Sequence, residues 1–237
     1  MAARKYMVEE ITKATNKEEY QRIKNYFSKS SYGNFNKICD VQEMKIYQVF
    51  EKNAKKRKVN PKKSTQQNMI AFHGTDEKGN DGILLSGYKN SSYGILGKAV
   101  YNTECAEVAY LYSVRSSVKA GKTAKIKSYI FINELEQNKK DCGETVEFST
   151  YFREDTDGKI NNPFTIYRHK NTSQLENYQY VKDKHGRKFR NVKIECNGLR
   201  NELALEEKLV KPIYVLKLIT SIKKEEYNNF LEEINKI

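Results

Sequence analysis

Apolar residues in the first part of the chain recur at helical spacing between charged ones. Ile11, Tyr20, Ile23, Tyr26 and Phe27 fall on one face of a 3.6-residue repeat, with Glu and Lys positions between them, which predicts a helix over about 7–27. A turn rich in Ser, Gly and Asn follows. Residues 38–44 read as a short extended piece, and 45–58, carrying Ile46, Tyr47, Val49 and Phe50, as a second helix. Met69-Ile70-Ala71-Phe72 is a compact apolar run of the kind a buried strand makes, and it leads directly into His73-Gly74-Thr75. Beyond it the pattern predicts a short helix at 82–85, a loop at 87–94, an extended piece at 98–101 and a helix over about 104–114.

The second half changes character. Strands are predicted at about 127–133, 145–151, 164–167, 190–195, 203–206 and 212–219, with a last helix over about 224–235. These strands do not alternate with helices as a parallel sheet requires, so the fold class expected is α+β with a mainly antiparallel sheet. No repeat and no long linker divides the chain, and residues 1–237 are expected to form a single domain.

Composition narrows the classes. The 237 residues are 38% hydrophobic, enough for a core although 31% are charged, which excludes a disordered basic tail. No run of 18 or more apolar residues occurs, and Glu9 and Glu10 interrupt the start before the apolar core of a signal peptide could form. A cytoplasmic or nuclear protein without a membrane partner is expected. Cys39, Cys105, Cys142 and Cys196 have no paired spacing, and with only His73, His169 and His185 as histidines no metal centre is expected. The net charge of +13 would attract nucleic acid, acidic partners or an anionic cofactor. Its densest stretch, Lys55, Lys56, Arg57, Lys58, Lys62 and Lys63 around Pro61, reads either as a solvated helix end or as a polyanion patch.

Phosphate-loop, dinucleotide-fold and zinc-protease motifs are all missing. His169 and His185 sit among polar residues. His73 differs, because it ends an apolar strand and precedes a glycine, so an imidazole and an open backbone amide are presented together.

Several separated segments then agree in order. His73-Gly74-Thr75 is followed by Gly82-Ile83-Leu84-Leu85-Ser86-Gly87, then by Gly97-Lys98-Ala99-Val100-Tyr101 and a helix from Ala106. Asn201-Glu202-Leu203-Ala204-Leu205 and Pro212-Ile213-Tyr214-Val215-Leu216 come last. This set resembles the catalytic domain of the poly(ADP-ribose) polymerase family, the diphtheria-toxin-like ADP-ribosyltransferases with a His-Tyr-Glu triad. Upstream, Glu19 to Phe27 and Ile46 to Phe50 look like the lead-in of the same domain, so the resemblance runs from about residue 19 to 237. Ala99 stands where the family has glycine. No helical regulatory subdomain is expected before the first matching helix.

The resemblance implies an ADP-ribosyltransferase fold of split, mainly antiparallel sheets flanked by helices, with an NAD cleft between them. It implies NAD as substrate, no metal, and an acceptor that is a protein, the chain itself included, or a nucleic acid. Glu202 would bind the 2′-hydroxyl of the nicotinamide ribose and stabilise a developing oxocarbenium ion. His73 would hold the adenine-side ribose and Thr75 assist at a ribose. The Gly74 backbone would take the carboxamide, its missing Cβ letting the ring approach. Tyr101 would stack on the nicotinamide with Tyr112 or Tyr110 on its other face, and Gly97 and Lys98 would also bind the cofactor. Glu206 is the backup for Glu202. The serine expected on the helix is replaced by Ala109, with Ser113 able to substitute only if the helix is shifted, and a lysine found in some polymerising members is replaced by Val108. A fold that binds NAD without turning it over, and a domain that modifies nucleic acid, are the competing readings.

Overall fold

The computed structural model describes residues 5–30, 39–52, 69–91, 99–135, 164–165, 182–183, 191–196, 200–205 and 207–228. The chain opens with strand β1, Tyr6–Ile11, and helix α1, Lys17–Lys29. Strand β2, Cys39–Glu51, and strand β3, Met69–Thr75, come next, followed by helix α2, Glu77–Ser86. Strand β4, Val100–Thr103, leads to helix α3, Ala106–Lys119, and strand β5, Ile126–Leu135. Two short strands, β6 at Phe164–Thr165 and β7 at Lys182–Asp183, pair with each other. Strand β8, Asn191–Cys196, strand β9, Arg200–Leu205, and the long strand β10, Val210–Ile222, complete the sheet.

All eight strands of the main sheet are antiparallel, in the order β1-β2-β10-β5-β3-β4-β9-β8. The class is α+β, as the strand pattern predicts. Central β10 bonds β2 on one side and β5 on the other, and Pro212 sits where its register with β5 shifts. A proline gives the ladder no N–H, so a bulge is where a strand accommodates it.

Two stretches predicted as helix are strand. Helix α1 starts only at Lys17, with Asn16 capping it by accepting from the Glu19 amide at 3.1 Å. Before it, Thr12 and Thr15 bond each other's backbone amides, Thr12 N to Thr15 Oγ1 at 2.9 Å and Thr15 N to Thr12 Oγ1 at 3.1 Å. Such side-chain bonds compete with a helical backbone and end the preceding segment as strand. Ile11 reaches the core from β1, not from the helix. Likewise 45–51 continues β2, because β1 and β10 flank it on both sides and the β-branched and aromatic residues Ile46, Tyr47, Val49 and Phe50 suit a pleated surface. The predicted strand at 145–151 and the basic stretch 55–63 lie outside the described residues, as does most of the predicted last helix.

Both faces of the sheet carry a core. On one, α1 and α3 cover Phe72, Ile130, Ile132, Leu216 and Leu218. Tyr26 stacks on Phe72 at 5.3 Å and Phe27 meets it edge-on at 6.4 Å between centroids. On the other, Ile83 and Leu84 of α2 cover Ala71, Val100, Phe131 and Val215. Among the described residues no helix is long and apolar enough to cross a membrane.

Candidate active site

Successive side chains of a strand point to opposite faces. On β3, Phe72 enters the α1/α3 core and Ala71 the α2 core, so His73 lies on the α2 side and Gly74 on the α3 side. His73 is half-buried, and its Nδ1 lies 2.7 Å from the carbonyl oxygen of Tyr101 on β4. A carbonyl only accepts, so Nδ1 carries the proton, and the neutral ring leaves Nε2 as a hydrogen-bond acceptor. Burial pushes the imidazole pKa below its ordinary 6.5, with the bond to Tyr101 opposing. The ring is therefore neutral at pH 7.

Tyr101 is half-buried between two buried neighbours, Val100 and Asn102. The β4–β9 register sets Tyr101 opposite Ala204 and Thr103 opposite Glu202. His73, Tyr101 and Glu202 thus stand on three neighbouring strands, β3, β4 and β9. Glu206, Gly97 and Lys98 lie outside the described residues, as do His169 and His185.

Gly74 meets α3. A Cβ built on it would lie 1.6 Å from the carbonyl oxygen of Ala109, so the helix itself requires the glycine. The missing Cβ therefore serves the packing of α3 against β3. Thr75 ends β3 with its hydroxyl beside Gly79, where an added Cβ would stand 1.8 Å from Oγ1. Asp76 then caps α2, accepting from the Gly79 amide at 2.9 Å.

Of the two helix tyrosines, Tyr110 is a core residue. It is 1% exposed and its hydroxyl lies 2.7 Å from Thr220 Oγ1 on β10, which removes it from the ligand-facing set. Tyr112 is half-buried on the same helix. Ser113 does not stand in for the missing serine, because its hydroxyl donates to the Tyr110 carbonyl at 2.7 Å within the helix and is buried.

Three residues that the sequence patterns did not single out lie behind His73: Tyr88, Asn102 and Asn133. Tyr88 meets the imidazole edge-on, with ring centroids 5.2 Å apart and planes at 84°. The available signal was an asparagine inside each of two apolar strands, Val100-Tyr101-Asn102 and Ile130-Phe131-Ile132-Asn133, where a buried polar group must have a partner. Among the described residues, no group of three or more His, Cys, Asp or Glu side chains is arranged to hold a metal ion.

The chain matches the sequence model of the poly(ADP-ribose) polymerase catalytic domain over residues 17–185, a span that includes His73, Gly74, Tyr101 and Tyr112 and stops before Glu202. No curated protein sequence matches the chain.

Proposed function

Because the chain belongs to the poly(ADP-ribose) polymerase catalytic domain family, we propose that it is an NAD-dependent ADP-ribosyltransferase working through His73, Tyr101 and Glu202. The observation that carries the reading is the bond from His73 Nδ1 to the Tyr101 carbonyl on adjoining strands, with β9 and Glu202 next in the sheet. NAD supplies an activated ribose–nicotinamide bond, which breaks with its electron pair leaving on nicotinamide while an acceptor nucleophile loses a proton and bonds the ribose carbon.

The protein's part is positional and electrostatic. Nε2 of His73 accepts from a hydroxyl of the adenine-side ribose, with Thr75 as a second polar contact at a ribose. Main-chain atoms of Gly74 hold the carboxamide. Tyr101 and Tyr112 stack on the two faces of the nicotinamide ring, and Gly97 and Lys98 are kept as further cofactor contacts. Glu202 accepts from the 2′-hydroxyl and stabilises positive charge as it develops on the ribose. The acceptor is a protein, the chain itself included, and the charge of +13 favours an acidic or nucleic-acid acceptor as well. Val108 in place of a helix lysine favours short products over long chains.

Incubating the full chain with NAD labelled in its adenylate should transfer label to protein and release nicotinamide, and Glu202→Gln should abolish the transfer. No release and no transfer over a broad acceptor screen would sink the reading. One observation favours a second reading, an NAD-binding module without turnover: Ala109, which has no hydroxyl, is the residue packed against Gly74. Saturable NAD binding with no nicotinamide release would establish that alternative.

A further inference from the structure

The contacts behind His73 form a closed circuit. Tyr88 leaves the C-terminal end of α2, where Gly87, at φ 85°, turns the chain back over the sheet. Its ring wedges between His73 and Phe131, meeting Phe131 at 6.0 Å and 70°. His73 and Phe131 are themselves cross-strand partners on β3 and β5. The Tyr88 hydroxyl donates to Asn133 Oδ1 at 2.9 Å, Asn133 Nδ2 donates to Asn102 Oδ1 at 2.7 Å, and Asn102 Nδ2 donates to the Val100 carbonyl at 3.2 Å. Val100 immediately precedes Tyr101, whose carbonyl holds His73 Nδ1. Both restraints on the imidazole, the bond at Nδ1 and the ring edge, are therefore referred to one two-residue stretch of β4.

The chain of donors has a single polarity. Burial holds the Tyr88 phenol well above its usual pKa, so it stays protonated and donates. Each amide is then used at both its oxygen and its nitrogen, and the chain ends on a carbonyl that can only accept. Tyr88, Asn133 and Asn102 are 7%, 0% and 3% exposed. Two buried asparagines are a costly way to fill a sheet interior that apolar residues would fill as well, and a fully satisfied network of this kind fixes one arrangement of the groups it joins. Here those groups converge on one imidazole.

We propose that Tyr88, Asn133 and Asn102 are positioning residues that lock the plane and tautomer of the His73 ring, so that Nε2 is presented as an acceptor toward a ribose hydroxyl. The substrate part of this statement rests on the proposed ADP-ribosyl transfer. The locking of the ring does not.

Nitrogen NMR of His73 in the full chain, without ligand and above pH 7, reads the lock directly. Wild type should show one protonated and one unprotonated ring nitrogen. Tyr88→Leu should draw the two signals toward a common average, and Tyr88→Phe, which keeps the ring edge but cuts the tether, should do so by less than half as much. Should Tyr88→Leu fail to fold, Tyr88→Phe decides alone. Unchanged ring-nitrogen signals in the folded variants overturn the proposal. In turnover, Tyr88→Leu should raise KM for NAD by about tenfold while changing kcat less than about threefold, as expected when orientation of a binding group is lost. A wild-type chain that shows the single tautomer but no NAD turnover would refute the transferase reading and leave the lock standing.

Discussion

The backbone of Gly74 meets the backbone of Ala109 so closely that a Cβ on the first would stand 1.6 Å from the carbonyl oxygen of the second. The neighbour is main chain in the first turn of α3, held by the helix ladder, and it cannot swing aside as a side-chain tip could. Gly74→Ala should therefore cost about 3 kcal/mol or more, at or above the upper end for overpacked sites. Urea unfolding measures this. A Gly74→Ala protein as stable as wild type would mean that α3 does not sit this close to β3. The same variant is a poor probe of carboxamide binding, since it disturbs the fold first.

Glu202 offers the cleaner functional probe. Register alone places it opposite Thr103, two residues along the ladder from the Tyr101–Ala204 pair. Removing its charge by Glu202→Gln should lower nicotinamide release by about 10²-fold or more, in line with the loss of one preorganised group that stabilises developing charge. Thermal unfolding should be nearly unchanged. Activity retained in Glu202→Gln but lost in Glu206→Gln would move the role to the backup carboxylate.

Tyr110 and Tyr112 separate core from cleft. Tyr110→Phe leaves the ring in place and removes the hydroxyl that meets Thr220 and the Cys39 thiol, so it should cost about 1 kcal/mol of stability with KM for NAD unchanged. Tyr112→Ala should instead raise KM for NAD several-fold. A KM effect from Tyr110→Phe as large as that from Tyr112→Ala would contradict the assignment of Tyr110 to the core.

Burial of His73 also makes stability depend on pH. Its folded-state pKa is lowered from 6.5, so below that value the unfolded chain binds a proton that the folded one refuses. The folded state then loses stability as pH falls from about 6.5 toward the lowered pKa, and regains it above. His73→Gln should remove this contribution, so the difference in melting temperature between wild type and variant should shrink as pH drops from 7.5 to 5. A constant difference across that range would show that His73 titrates alike in both states.

The elements that carry the candidate site residues were legible where their signals are local. An apolar run ending in His-Gly-Thr is a strand end in any fold, and the separation of Tyr101 from Tyr112 is fixed by one strand and one helix. The misread stretches are those where distant partners decide. Residues 45–51 have apolar spacing that suits a helix, and only the ladders to β1 and β10 make them strand. The packing demand on Gly74 was not legible for the same reason: nothing near it in the chain announces that α3, thirty-odd residues on, lies against it. The network behind His73 joins a loop root to two strands, so neither periodicity nor motif spacing exposes it.

A last test concerns how α1 is fastened to the sheet. Arg22 makes two bonds to Glu19, at 2.7 and 2.6 Å, and a third to the Tyr214 hydroxyl at 3.1 Å, while that hydroxyl also donates to Glu19. The Arg22 bond holds the Glu19 carboxyl below its usual 4.5 against the effect of burial, and burial together with Glu19 pushes the Tyr214 phenol up to about 12. A carboxyl with a lowered folded pKa contributes stability above pH 4.5 that is lost as pH falls through the lowered value. The Arg22 side chain is 63% exposed, so solvent screening keeps the ion pair to roughly 0.5 kcal/mol. Arg22→Met should therefore lower stability only slightly at pH 7, and by still less as the pH falls through the lowered Glu19 pKa and the carboxylate is neutralised. A difference that stays constant as the pH falls would mean that Arg22 fastens α1 through its guanidinium over the Tyr214 ring, 5.9 Å from the centroid, and not through the carboxylate.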